Sequence, residues 1–295
     1  MEKFLLIDGN LLLFQSFFAS YNPYSQANLM KSPLGITTNG VHVFLITLAK
    51  LINYFQPKYL FIAFDANAKT KRHQMYSDYK SGRNKAPEII FEQFFLIKDI
   101  LKKLNIAWEE KEGDEADDLI ASLSSKFKTD NYIYSKDKDL LQLVKENISI
   151  VRNNKEHNFE IINEENFRFF YGFNPEQVAD FKALAGDSSD NLPGVNGIGD
   201  KGATKLINEY GNLENIYENL DSIKGKLKEK LTKDKDQAFL CKNLALLNKN
   251  VEMNHNLNFY ANYLNNADEG FLFLEKHGLN KAKEYLQGIA RNKNE

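Results

Sequence analysis

Nine acidic residues recur in short motifs along the chain. Asp8 sits in DGN, Asp65 in FDA, and Glu115, Asp117 and Asp118 in GDEADD. Asp137 and Asp139 sit in SKDKDL, and Asp187 and Asp190 in GDSSDN. Taken singly, each has an ordinary structural use as a helix cap or as a dipole partner in a first helical turn. Taken together they imply one acidic cleft, because so many like charges stay ionised side by side only when cations accompany them. No cluster of His or Cys accompanies them, so the donor set is all oxygen and fits Mg²⁺ or Mn²⁺ rather than zinc. Two such ions about 4 Å apart are the usual apparatus for hydrolysing a phosphodiester.

A second chemistry adjoins the last pair. Residues 186–206 read GDSSDNLPGVNGIGDKGATKL, with glycines at 194, 197, 199 and 202 ahead of a helical pattern. A glycine-rich turn opening into a helix N-terminus presents backbone N–H groups to a phosphate. Residues 67–85 carry six Lys or Arg against the single acid Asp78, together with Tyr76 and Tyr79 and little apolar periodicity. That stretch is expected outside the core, as an electropositive threshold.

The acids need a scaffold that gathers them, and the apolar pattern supplies one. Phe4–Ile7 and Tyr59–Phe64 are short buried-strand patterns, each running into an aspartate, with helical stripes over Leu11–Ser20 and Val41–Phe55 between them. Strand, helix, strand at that spacing gives a right-handed crossover and a parallel sheet. Ile106–Trp108 and Tyr132–Tyr134 are expected as further strands, and Ile148–Val151 with Phe159–Ile162 as an antiparallel edge hairpin. In such sheets ligands bind beyond the carboxyl ends of the strands, where these acids fall. From Glu164 onward only helices are expected: about 164–171, 175–185, 201–210, 212–219, 232–247 and one or two within 268–287. The Lys-rich stretch 222–236 is expected to be a flexible patch.

The 295 residues can bury a sizeable core, and 43% of them are apolar. One cysteine, Cys241, excludes an internal disulfide. The N-terminal apolar run is too short for a signal peptide, and no run approaches a membrane span. A cytoplasmic, nucleoid-associated protein is expected. The net charge of −2 shows that any affinity for nucleic acid rests on local basic patches.

With these motifs in order, the chain resembles the bacterial 5′-nuclease (flap endonuclease) family, including the 5′–3′ exonuclease domain of bacterial DNA polymerase I. DGN, FDA, YKSGR at 79–83, GDEADD, SKDKDL and GDSSDNLPGVNGIGDKGA all occur in family order. The resemblance implies an α/β fold: a central, mostly parallel sheet flanked by helices, a helical arch, and a C-terminal helix–turn–helix region for DNA. It implies a PIN-like nuclease domain over 1–174 with the arch at about 67–88. A helical DNA-binding region over 175–295 would hold the helix–turn–helix at 186–210. It implies that Asp8, Asp65, Glu115 and Asp117 hold one metal, and that Asp117, Asp137, Asp139 and Asp190 hold a second. Asp118 and Asp187 would act directly or through water. Lys80 and Arg83 would contact the scissile phosphate, Tyr79 would stack on a base, and Arg72 would lie at the arch base. Gly194, Gly197, Gly199, Lys201 and Lys205 would grip the duplex, with K⁺ held by carbonyls of the Gly194–Gly199 turn. The implied substrates are DNA with 5′ flaps, nicks or free 5′ ends, and RNA primers. A monomer working beside a polymerase, on a chain that stands alone without polymerase sequence, completes the expectation.

The chain departs from the family at Gln15, where most bacterial members carry Arg, and at Lys71, where Phe is common. Lys136 stands where a small residue usually precedes the Asp-x-Asp pair, and no prolines follow Arg83. Two other readings remain testable. A non-catalytic structure-specific DNA-binding relative would have lost acids, and none is missing. A small RNA-cleaving nuclease would be shorter and would lack both the arch and the 186–206 element.

Overall fold

The computed structural model describes residues 1–292 except Pro23, residues 25–28, Asn84, Lys155 and His157. Pro23 of the expected loop and Asn84 of the expected arch therefore lie outside the described residues. Six strands form one sheet: β1 (Lys3–Asp8), β2 (Tyr59–Ala63), β3 (Ala107–Glu109), β4 (Asp130–Tyr134), β5 (Ile148–Asn153) and β6 (Phe159–Ile162), in the order β3-β2-β1-β4-β5-β6. Every pairing is parallel except β5 with β6. β1 lies between β2 and β4, so Asp8 ends the central strand beside Ala63 and next to the end of β4.

Side chains alternate across β1 and divide the core in two. Phe4 and Leu6 pack with α5 (Ala116–Lys126) and the helices that follow the sheet. Leu5 and Ile7 pack with α1 (Gly9–Ser20), α2 (Asn39–Phe55) and α4 (Ile89–Lys103), together with the C-terminal pair α12 (Asp268–Lys276) and α13 (Asn280–Asn292). Helices on both faces explain why the parallel strands are continuous apolar runs rather than alternating ones.

The basic segment differs from expectation. Among the described residues of 67–88 the only helix is α3, Lys71–Met75, followed by tight turns rather than a free-standing helical arch. Tyr79 is the reason: its ring is buried with Leu192, Cys241 and Leu244, which ties the segment down onto the later helices. Those helices are α6 (Glu164–Tyr171), α7 (Val178–Ala185), α8 (Asp200–Tyr210), α9 (Leu213–Glu218), α10 (Gly225–Lys233) and α11 (Lys235–Ala245). The stretch 222–236, expected to be flexible, is largely α10, whose Leu231 is fully buried.

Candidate active site and nucleic-acid interface

The acids are positioned by strand ends and helix starts. Asp8 caps α1 by accepting from the Leu11 amide at 2.9 Å, and its other oxygen accepts from Ser135 at 3.1 Å. Asp65 exchanges hydrogen bonds with Asn10, at 3.1 Å and 3.0 Å, and accepts from the Ala116 amide, the first of α5, at 2.8 Å. Asp137 accepts from the Asp139 amide at 2.8 Å, while its own amide donates to Ser135 at 3.0 Å. The helix-cap use and the cleft use are therefore compatible: the contacts that cap the helices also fix the Asp8 and Asp65 carboxylates at the strand ends.

The cleft's electrostatics confirm that these groups crowd one another. Burial pushes Asp8 up to about 7, reinforced by Asp65 and Asp137. Burial likewise raises Asp117 well above the usual range, with Asp137, Asp8 and Asp139 adding repulsion. Asp139 also reaches about 7 through burial, although Lys182 opposes the shift.

The remaining acids carry internal partners. Arg72 is only 6% exposed and holds both oxygens of Asp118, at 2.7 Å and 2.8 Å. It reaches Glu115 at 3.2 Å and donates to the Leu244 and Leu246 carbonyls. Placed by the family resemblance among the DNA contacts at the arch base, Arg72 is instead a buried counter-ion, because Asp118 and two helix-end carbonyls use its guanidinium. Burial opposes ionisation of Asp118, but Arg72 outweighs it and lowers the group. Tyr79 donates to Glu115 at 3.2 Å from a buried position and presents no free face to a base here. Lys80, at φ 58°, pairs with Glu115 at 2.9 Å, and its amide donates to the Asp190 carbonyl at 3.0 Å. Arg83 pairs with Asp190 at 2.9 Å.

One charged residue of the cleft was not singled out by sequence reasoning. Lys182, on α7 and 3% exposed, bridges Asp139 and Asp187, the latter at 2.7 Å. Burial raises Asp187, but Lys182 and Ser189 outweigh it and pull the group down to about 2. The available signal was a lysine four residues before Gly186 on a helix whose only other charged residue is Asp180. Ser135 and Asn10 stood inside quoted motifs without an assigned role. With four cations drawing on the acids, no three acidic, His or Cys side chains among the described residues stand close enough to hold an ion as placed.

The glycine-rich turn lies beyond Asp190. Gly194, at φ +64°, passes so close to Gly186 that a Cβ would meet its backbone nitrogen at 2.3 Å, so no other residue fits. The Val195 amide donates to Leu184 at 2.9 Å and Gly199 starts α8, which leaves Lys201 and Lys205 exposed on its first turns. The Gly194 carbonyl accepts from Gln237, and the Gly197 carbonyl accepts from the Lys230 ammonium at 2.9 Å.

An acid-rimmed parallel sheet followed by a helical region with such a turn defines a nuclease architecture. The chain matches the 5′-3′ exonuclease N-terminal resolvase-like domain over residues 3–172, and the 5′-3′ exonuclease C-terminal SAM fold over 173–267. It belongs to the 5′-3′ exonuclease family and is a nuclease. It is 43% identical over 217 residues to a 5′-3′ exonuclease of Mycoplasmopsis pulmonis, covering 73% of this chain and 69% of that one. It is 39% identical over 221 residues to DNA polymerase I of Lactococcus lactis, covering 73% of this chain and 25% of the polymerase. Its fold matches a solved structure of T5 5′-exonuclease with divalent metal ions (zinc) bound, at a TM-score of 0.64 and 21% identity, over 98% of this chain and 100% of that one.

Proposed function

We propose that the chain hydrolyses phosphodiester bonds at free 5′ ends, nicks and 5′ flaps of DNA, RNA primers included, with divalent Mg²⁺ or Mn²⁺. The observation that carries this reading is the convergence of Asp8, Asp65, Asp117 and Asp137 beneath Lys80 and Arg83. The acids fit hard cations: Asp8 is buried and the other three partly so, all the donors are oxygen, and burial together with mutual repulsion holds Asp8 and Asp117 above their usual range. Such ions, when bound, lower the pKa of an attacking water and stabilise charge on the phosphoryl oxygens. The chain's own residues do the rest. Asn10 and Ser135 fix the orientation of Asp65 and Asp8. Lys80 and Arg83, paired with Glu115 and Asp190 in this structure, are the cations placed to exchange those partners for a phosphate.

The helical region after residue 174, with Gly194, Gly197, Gly199, Lys201 and Lys205, is assigned to the duplex backbone, which carries no sequence information. The enzyme would therefore read structure rather than sequence. A K⁺ ion at the turn would share the Gly194 and Gly197 carbonyls with Gln237 and Lys230. A monomeric, nucleoid-associated enzyme working beside a polymerase is consistent with this substrate class. The test is to map products from a 5′-flap duplex, a nicked duplex, single-stranded DNA and structured RNA, each with Mg²⁺ and with EDTA. Mg²⁺-dependent products at 5′ ends and flap junctions are expected. Tight flap binding without any cleavage would overturn the catalytic reading, and preference for structured RNA would overturn the substrate.

A further inference from the structure

A second cavity opens beside the acid cleft. It measures about 500 Å³ and lies between α1, α2 and the ends of β4 and β5. Gln15 and Ser16 line it from α1, Thr47 and Lys50 from α2, and Lys136 and Asn153 from the sheet edge. Three observations point to what it takes. First, no carboxylate lines it among the described residues, while Lys50 and Lys136 both do, exposed and without an ion pair among those residues. Second, the Ser16 hydroxyl is buried at 2% exposure and has no hydrogen-bond partner, which a folded chain rarely tolerates without a ligand or water to satisfy it. Third, two lining residues neighbour acids along the chain: Lys136 directly precedes Asp137, and Leu12 is one helical turn after Asp8.

We infer that this cavity is a phosphate subsite that holds the nucleic-acid strand next to the acid cleft. Two unpaired ammonium groups and an unsatisfied hydroxyl form a donor set for a phosphate monoester or diester. The apolar remainder of the wall, Leu12 and Val43 among it, faces the sugar, and the volume suits one nucleotide. Gln15 and Lys136, both departures from the family pattern, line this one cavity, so the positive charge that α1 lacks is supplied from the sheet edge. The inference rests on the proposed action on DNA strands.

The test is flap-DNA affinity in EDTA as a function of KCl, for the full chain and for Lys50→Gln, Lys136→Gln, the double variant and Ser16→Ala. Each lysine removed should flatten the logarithmic salt slope by about 0.7–0.9. Ser16→Ala should weaken binding about three- to tenfold while leaving the melting temperature unchanged or raised, because an unsatisfied hydroxyl is removed. Each flap is tested with a 5′-phosphate and with a 5′-hydroxyl. Losses confined to the phosphorylated strand support a terminal-phosphate ligand, and equal losses support an internal phosphodiester. Unchanged slopes in every variant, with wild-type flap binding intact, would overturn the subsite and leave the proposed function standing. Failure of the wild-type chain to bind a flap would overturn that function instead.

Discussion

Asp8, Asp65, Asp117 and Asp137 share one mouth with Glu115, Asp118, Asp187 and Asp190, yet the fold treats the two sets differently. The first four form no ion pair among the described residues; Asp8, Asp65 and Asp137 are oriented only by amides, Asn10 and Ser135. The second four are each held by a cation of the chain: Lys80 and Arg72 on Glu115, Arg72 on Asp118, Lys182 on Asp187 and Arg83 on Asp190. The consequence shows in the titration. Asp187 is drawn down to about 2, whereas Asp8 is pushed up to about 7. Asp139 stands between the sets, paired with Lys182 yet still raised by burial. One flank of the cleft is thus neutralised by the chain itself, and the other keeps its unmet negative charge for something that binds.

The largest effect that can break this division is expected from Asp117→Asn. Removing a carboxylate from the unpaired set should lower the single-turnover rate on a 5′ flap by at least on the order of 10³-fold. The same change should raise the melting temperature of metal-free protein at neutral pH, because a repelling charge has gone. A lower melting temperature would show that Asp117 is paired after all. Arg72→Gln should do the opposite. It leaves Asp118 and Glu115 buried without their counter-ion and should cost about 3–5 kcal/mol in denaturant unfolding. A cost under about 1 kcal/mol would mean that another group holds those acids.

How much of this was readable in the sequence depends on the range of the interaction. β1 and β2 were legible because an apolar run ending in Asp is a local pattern, and the β5–β6 hairpin emerged as expected. The nine acids were legible because each sits in its own motif. The counter-ions were not. Arg72 meets Asp118 across 46 residues and the Leu246 carbonyl across 174, and no periodicity encodes such a partner. Lys182 looked like one lysine on a mostly apolar helix until folding placed two carboxylates beside it. Composition misled at 222–236, where the lysines suggested a solvated patch, yet Leu231 is fully buried and anchors α10 to the core. The stretch expected as one helix at 232–247 is broken at Asp234, which accepts from the Asn196 amide at 2.8 Å and links α10 and α11 to the glycine-rich turn.

A smaller effect sharpens the division through pH. Asp8 and Asp139 titrate near 7 when folded and near 4 when unfolded, so between those values the folded chain holds protons that the unfolded chain has lost. Stability of the metal-free protein should therefore fall as pH rises from about 4 to about 7, by up to about 4 kcal/mol for each of the two groups. Asp187 and Asp118 act in the opposite sense: their stabilisation is present above about 4 and is lost as pH falls toward 2. Denaturant unfolding in EDTA should show a maximum near pH 4–5, and Mg²⁺ should remove the decline above it. A flat profile in EDTA would sink the claim that the first set is uncompensated.

The smallest stability effect is expected at Arg83, and it tests whether pairing alone defines the second set. Arg83 and Arg72 both bind an acid of the cleft at hydrogen-bond distance, but the Arg83 side chain is 49% exposed and that of Arg72 is 8%. Water already solvates the Arg83 guanidinium, so Arg83→Gln should change unfolding free energy by less than about 1 kcal/mol, against the several expected at Arg72. Its cost should fall on flap cleavage instead, where a mobile cation at the rim can leave Asp190 for a phosphate and a buried one cannot. The measurement is unfolding and single-turnover cleavage on the same Arg83→Gln protein. Destabilisation as large as at Arg72 would place Arg83 with the structural counter-ions and leave Lys80 alone of this pair to meet the substrate.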